Sequence, residues 1–347
     1  MHALKLLDSL RLPIIQGPMA GGFTTPALVA AVSNAGGLGS LAGSLLAPAA
    51  LREQVAHLRS LTNAPFLLNF FVQQTPAPQE HDIAAATELL RPVWQQLGWS
   101  ALPRPTQWCQ DFGQQFDALL ELKPAGASFT FGCLSEAQVA RLHAAGISVI
   151  GTVTTVAEAL AWQAAGADAV IASGIEAGGH RGTFIGRQED ATLPASQLWP
   201  QVVAAVDLPV IAAGAIMDGR DIRAALALGA RAVQMGTAFL VTDEAATPAV
   251  YKQQLLSGNA HTRLTRAISG RYARGIENDF MRQMEAVEAH VPAYPVQNAL
   301  TGSIRAAASA NHNPALMSLW AGTGVNRARA MPAAILMDTL ATEMAGP

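Results

Sequence analysis

The chain has 347 residues, of which 50% are hydrophobic and 14% are charged, and its formal net charge is −3. A chain this apolar can bury a large core, which argues against intrinsic disorder. The weak negative charge gives no reason to expect binding to nucleic acid or to an anionic membrane surface. Small molecules are therefore the expected partners.

The two cysteines, Cys109 and Cys133, exclude a disulfide framework and a multi-cysteine zinc site, and we expect no structural metal. The N-terminal residues do not read as a secretory signal, and no apolar run approaches the roughly 18 residues of a membrane span. The expected location is the cytoplasm.

Short apolar runs alternate with alanine- and leucine-rich stretches over the first two thirds of the chain. This alternation predicts βα units and an α/β fold with parallel strands, namely a (β/α)8 TIM barrel. Strands are predicted at 13–17, 39–42, 66–70, 127–131, 148–153, 167–172, 209–213 and 232–235. Helices between them are predicted at 26–35, 48–61, 135–145, 155–165, 196–206 and 218–228. Several are expected to end at a glycine: Gly36, Gly146, Gly166 and Gly229.

Two segments interrupt this alternation. Residues 73–123 are rich in Pro, Gln and Trp and are predicted to form an excursion over the barrel mouth, with one helix at 83–96. After residue 242 we predict helical pieces at 247–256, 276–290, 300–310 and 331–344. The expected domains are a barrel, 1–242, and a mainly helical lid or substrate region, 243–347, because a single barrel needs only about 250 residues.

His180 is the strongest catalytic candidate. It lies in a glycine-rich loop, Gly174-Ile-Glu-Ala-Gly-Gly-His-Arg-Gly182, directly after a predicted strand. Barrel enzymes place their chemistry on such loops, glycine permits close backbone approach to a ligand, and histidine exchanges protons near neutral pH. The loop is thus predicted to carry the active site, with His180 as a base or as a hydrogen-bond donor to an anion.

Two further loops are typical of a phosphate site. Gly214 follows the seventh predicted strand, and the segment Gln234-Met235-Gly236-Thr237 closes the eighth, which is the usual phosphate corner of a barrel. Thr237 is also a candidate helix cap. Asn69, in an apolar strand, has an amide that could pair with the edge of a heteroaromatic ring, and Met19 could lie against such a ring.

Five segments together resemble the nitronate monooxygenase family, formerly called 2-nitropropane dioxygenases. They are Pro13-Ile-Ile-Gln-Gly-Pro-Met-Ala-Gly-Gly22 with the residues up to Pro26, Glu176-Ala-Gly-Gly-His-Arg-Gly182, Ile211-Ala-Ala-Gly-Ala-Ile216, Gln234-Met-Gly-Thr237 and Ala273-Arg-Gly275. The resemblance implies an FMN-containing barrel that oxidises alkyl nitronates, such as the toxin propionate 3-nitronate, with molecular oxygen. The expected assembly is a monomer or a homodimer.

By the same resemblance His180 falls on the active-site histidine of the family. The positions that the resemblance places on the flavin are Asn69, Gly178, Gly214, Gln234, Met235, Gly236 and Thr237. Met19, Ser173 and Gly179 are further candidates for contact with FMN. Ser173 stands where family members often have Gln, and Thr130 stands where some have a second histidine. Two alternatives remain open: an FMN-dependent NAD(P)H:quinone or enoyl-thioester reductase on the same barrel, and a phosphate-binding barrel without a flavin.

Overall fold

The computed structural model describes residues 6–346. Eight parallel strands form one sheet in the order β1-β9-β8-β6-β5-β4-β3-β2. Their bounds are β1 Ile14–Gln16, β2 Gly39–Ala42, β3 Phe66–Phe71, β4 Gly126–Thr130, β5 Ser148–Val153, β6 Ala169–Ser173, β8 Val210–Ala213 and β9 Ala232–Met235. All eight predicted barrel strands are confirmed, with bounds that differ from the prediction by at most two residues.

The sheet closes on itself between its two edge strands. The Gln16 N–H donates to the Leu38 carbonyl at 3.0 Å, and the Leu38 N–H donates to the Ile14 carbonyl at 2.9 Å, directly before β2. Because β1 also pairs with β9, no long edge of the sheet is left unpaired. The architecture is a (β/α)8 barrel.

Eight helices cover the outside of the barrel: α1 Pro26–Asn34, α2 Pro48–Leu61, α5 Phe112–Leu122, α6 Glu136–Ala144, α7 Val156–Ala164, α8 Ala195–Ala205, α9 Gly219–Ala227 and α14 Ala333–Ala345. Local signals define several of their ends. The Asp218 carboxylate accepts hydrogen bonds from the N–H groups of Arg220 and Asp221 at the start of α9. Gly36 and Gly166 follow helices with φ of 83° and 90°, as the sequence predicted.

Three insertions extend the carboxyl ends of the strands, where active-site loops are expected. The insertion after β3 contains α3 Glu80–Leu89 and α4 Arg91–Gln95, so the helix predicted at 83–96 is two helices. The insertion after β9 contains α10 Ala249–Leu255, α11 Asp279–Met284, α12 Val296–Leu300 and α13 Gly302–Ala310. Apolar residues of both insertions, among them Trp94 and Phe280, form a common core. The excursion thus packs with the C-terminal region.

A small antiparallel sheet was not predicted. It consists of β7 Gly179–His180 in the insertion after β6, β10 Thr262–Thr265 and β11 Ala273–Ile276, in the order β10-β11-β7. The region after residue 242 is therefore not built from helices alone, and the helix predicted at 276–290 is wrong at its start, where Ile276 ends a strand. The alternation of apolar and polar residues in these strands covers too few residues to distinguish them from loops.

The last helix returns to the barrel. α14 packs against α1 and α9, and its buried residues belong to the same core as the barrel helices. The division of the chain at residues 242 and 243 remains a prediction, and both expected domains extend beyond the described residues. Within 6–346, no helix is both long and apolar enough to cross a membrane.

Candidate active site

A cavity of about 490 Å³ lies between the carboxyl ends of the barrel strands and the C-terminal region. Its volume is within the range of about 300–1,000 Å³ that is typical of ligand pockets. Every residue that the sequence analysis assigned to catalysis or to the cofactor lines it: Met19, Asn69, Ser173, Gly178, Gly179, His180, Gly214, Gln234, Met235, Gly236 and Thr237. Residues far apart in the chain thus meet at one place.

Strand pairing positions His180. β7 pairs antiparallel with β11, and His180 lies opposite Ala273. The imidazole Nε2 is 2.8 Å from the Ser269 Oγ, in the loop that leads into β11. The segment Ala273-Arg-Gly275 therefore holds the histidine loop from the C-terminal side, which gives this motif a structural role.

Aromatic rings surround the imidazole. The ring centroid of His180 lies 5.4 Å from that of Trp320, 5.6 Å from that of Phe131 and 5.8 Å from that of Tyr294. Such edge and tilted contacts fix the plane of the ring and keep water from most of its surface. A side chain held in this way presents a defined edge to the cavity.

The environment keeps the imidazole neutral. Burial lowers the pKa of His180 to about 3, and the positive charges of Arg271 and Arg305 act in the same direction. At neutral pH the ring therefore has one N–H and one lone pair. The ring therefore carries no positive charge, and its free nitrogen can accept a hydrogen bond.

The corner formed by the ends of β8 and β9 has the features of an anion site. Gly214 and Ala215 have φ of 124° and 55°, which turns the backbone sharply after β8. Among residues 6–346, the N–H groups of Gly214, Gly236 and Thr237 donate to no acceptor. Unpaired N–H groups that converge at one corner can bind a phosphate. The Thr237 hydroxyl does not cap a helix, because Thr237 begins a short 3-10 helix whose N-cap is Gly236 and which has no side-chain cap. It accepts instead from the Gly322 N–H at 3.0 Å.

Two side-chain amides, those of Asn69 and Gln234, also line the cavity. The Asn69 Nδ2 donates to the Ser128 Oγ at 3.0 Å and to the Ser128 carbonyl at 3.2 Å. The Gln234 Oε1 is buried and has no hydrogen-bond partner among the described residues. A buried acceptor of this kind is costly unless a ligand donates to it.

Gly178 allows two segments to approach closely. A Cβ atom at this position would lie 2.5 Å from the Gly322 backbone nitrogen and 2.6 Å from the Ala321 carbonyl carbon. Real Cβ atoms do not approach backbone atoms this closely, so any larger residue would separate the histidine loop from the segment 321–322. The glycines near Trp320 thus lie at the barrel mouth.

Sequence reasoning missed Arg305, which lines the cavity from α13 together with Gly302, Ala306 and Ser309. This spacing places these residues on one face of the helix. The Arg305 Nη2 donates to the Asn298 carbonyl at 2.7 Å, its Nε is buried without a partner, and no described carboxylate pairs with it. A single arginine in the alanine-rich run 304–310 was the signal available in the sequence.

Thr130 also lines the cavity, and its Oγ1 lies 3.2 Å from the Thr152 Oγ1. Among the described residues, His180 is the one histidine that lines this cavity. The Ser173 carbonyl accepts a hydrogen bond from the Arg181 Nη1 at 2.9 Å, which ties the start of the glycine-rich loop to its end.

The chain matches the family model described as nitronate monooxygenase over residues 5–343. A probable nitronate monooxygenase of Bacillus subtilis (strain 168) is 42% identical over 326 residues, covering 91% of each chain. Another, from Staphylococcus aureus (strain Newman), is 38% identical over 345 residues, covering 99% of this chain and 97% of its own.

Solved structures extend the comparison. A nitroalkane oxidase from Streptomyces ansochromogenes superposes with a TM-score of 0.91 at 42% identity, covering 98% of this chain and 97% of its own. FabK from Thermotoga maritima gives a TM-score of 0.75 at 29% identity, covering 98% and 96%. The family consists of flavin-dependent oxidoreductases. The chain belongs to the nitronate monooxygenase family.

Proposed function

We propose that this enzyme binds FMN across the carboxyl end of the barrel and oxidises alkyl nitronates of the propionate 3-nitronate type with molecular oxygen. His180 would contact the reacting end of the substrate. The observation that carries the proposal is a cavity in which a neutral imidazole lies near two partly buried arginines, Arg271 and Arg305, and in which Arg305 has no ion-pair partner among the described residues. Such a cavity favours an anionic substrate.

The residues present fit FMN. The N–H groups of Gly214, Gly236 and Thr237 would bind the phosphate, and Met19 would lie against the ring system. The unpartnered Gln234 Oε1 would accept a hydrogen bond from the flavin, and the Asn69 amide would contact the ring edge. When bound, FMN supplies the electron acceptor that oxygen regenerates.

The arginines contribute charge in different ways. Arg271 donates from Nε to the Arg181 carbonyl at 2.8 Å, and its guanidinium carbon lies 4.2 Å from the centroid of Phe131, so it is held outside the cavity wall. Arg305 lines the cavity itself. Burial lowers the pKa of each to about 10, so both stay charged at neutral pH. Arg305 would therefore bind the anionic substrate directly, and Arg271 would add to the positive electrostatic potential at the cavity.

The test is anaerobic titration of the purified protein with propionate 3-nitronate and, separately, with NADH, followed by flavin absorbance. We expect bleaching by the nitronate, recovery on admission of oxygen, no rapid bleaching by NADH, and FMN as the cofactor released on denaturation. Rapid bleaching by NADH alone would instead support the reductase, and a colourless protein that does not take up FMN would contradict both proposals.

A further inference from the structure

Ser269 is buried and lies next to the catalytic candidate without lining the cavity itself. Its Oγ is 2.8 Å from the His180 Nε2 and 3.0 Å from the Arg271 carbonyl oxygen, and the Arg271 N–H approaches it at 3.4 Å. A hydroxyl has one proton to donate and two lone pairs to accept with. This limits the roles that the three neighbours can take.

A carbonyl oxygen can only accept, and a backbone N–H can only donate. The Ser269 hydroxyl proton therefore goes to the Arg271 carbonyl, and the Arg271 N–H donates to the Oγ. The remaining lone pair of the Oγ faces the His180 Nε2, which must donate to it. If instead the hydroxyl donated to His180, the Arg271 carbonyl would lose this hydrogen bond inside the protein, which is unfavourable.

We propose that Ser269 is a positioning residue that holds His180 as the Nε2–H tautomer, so that Nδ1 is the nitrogen that accepts from a ligand in the cavity. This inference rests on the proposed function, since it concerns the same site, and it decides between the two roles that the sequence left open. In this tautomer His180 accepts a proton or a hydrogen bond at Nδ1 and donates none there. The negative charge of the substrate is then compensated by Arg305 rather than by the imidazole.

The assignment has a chemical consequence for neutral nitroalkanes. The Nδ1 lone pair can form an N–H bond to the proton on the carbon that bears the nitro group, while the electrons of the broken C–H bond remain on the substrate as the nitronate, whose negative charge would offset that of the imidazolium. A nitronate supplied ready-made needs no such transfer. Loss of the tautomer should therefore affect neutral nitroalkanes more than nitronates.

The direct test is the pair of ring-nitrogen chemical shifts of His180 in the holoenzyme labelled with isotopic histidine, assigned by their loss in His180→Asn. We expect an Nε2 shift typical of a protonated nitrogen and an Nδ1 shift typical of an unprotonated one. Protonation at Nδ1 would overturn the proposal. This readout needs no turnover, so it can fail independently of the proposed substrate.

Ser269→Ala should give mixed tautomers, and Ser269→Cys should restore part of the preference because a thiol still accepts weakly. In Ser269→Ala we expect kcat/KM for neutral nitroethane to fall about tenfold or more, with a smaller fall for its nitronate. Ser33→Ala removes another buried, hydrogen-bonded hydroxyl, far from the cavity, and serves as the control. Equal losses for both substrates in Ser269→Ala, with the tautomer unchanged, would contradict the proposal.

Discussion

His180 and Ala273 are partners in an antiparallel ladder, so the catalytic candidate of a barrel loop is held by a strand from the C-terminal region. Barrel enzymes usually carry their chemistry on loops that follow the barrel strands. Here the loop is additionally paired through its backbone to β11, and Ser269, just before β11, contacts the imidazole. The position of the histidine is therefore set by two insertions together.

The first prediction concerns turnover. His180→Asn should retain bound FMN, because His180 lies outside the phosphate corner, but should reduce turnover of neutral nitroethane about a hundredfold or more, because the group that accepts the carbon-bound proton is lost. Flavin content by absorbance and steady-state oxygen consumption would measure the two effects. Undiminished turnover would remove His180 from the mechanism.

A second prediction follows from the lowered pKa of His180, which is about 3 in the folded protein and about 6.5 in an unfolded chain. Between these values the unfolded chain binds a proton that the folded protein does not. Below about pH 6.5, each further pH unit of acidification therefore lowers the free energy of unfolding by up to about 1.4 kcal/mol because of this group. Above about pH 6.5, His180 does not change the stability.

His180→Asn should remove this contribution, so its denaturation midpoint in urea should fall less than that of the wild type between about pH 6.5 and about pH 5. The exposed residue His57, on α2, offers a matched control, and His57→Asn should follow the wild-type curve. Parallel curves for wild type and His180→Asn would show that the imidazole is not held neutral.

A third prediction concerns Arg305. Arg305→Gln should raise KM for nitronates about tenfold or more, because a charge-assisted hydrogen bond in a buried site is lost, and should change kcat less. Arg305→Lys keeps the charge and should recover part of the affinity. Arg282→Gln, at an exposed ion pair, serves as the control. A KM unaffected by Arg305→Gln would place the substrate's charge elsewhere.

The fourth prediction concerns Gly178. Gly178→Ala should lower stability by about 1–3 kcal/mol, because the new methyl group would overlap the backbone at Ala321 and Gly322 and displace one of the two segments. Flavin retention should decrease as well. Thermal unfolding and flavin content would measure both, against Gly113→Ala on the exposed face of α5, where only the Asp111 side chain lies near the added atom. Full flavin retention in Gly178→Ala would contradict the close packing.

The regular part of the fold could be predicted because its signals are local. The buried strands are short apolar runs such as 148–153, and their helices begin and end at capping residues and glycines such as Asp218 and Gly166. The β7–β11 ladder could not be predicted in this way. Its strands are two and four residues long, and their pairing joins segments about ninety positions apart.

The same distinction applies to the candidate active site. The sequence by itself determined the chemical types at the barrel mouth, because glycines, an amide and a histidine directly after apolar strands must gather at one end of a parallel barrel. Only the tertiary structure decided which side chains act on them: Ser269 beside the imidazole and Arg305 across the cavity. Neither has a local signature, because a hydrogen bond to a distant ring and a charge left without a partner are properties of packing rather than of neighbouring residues.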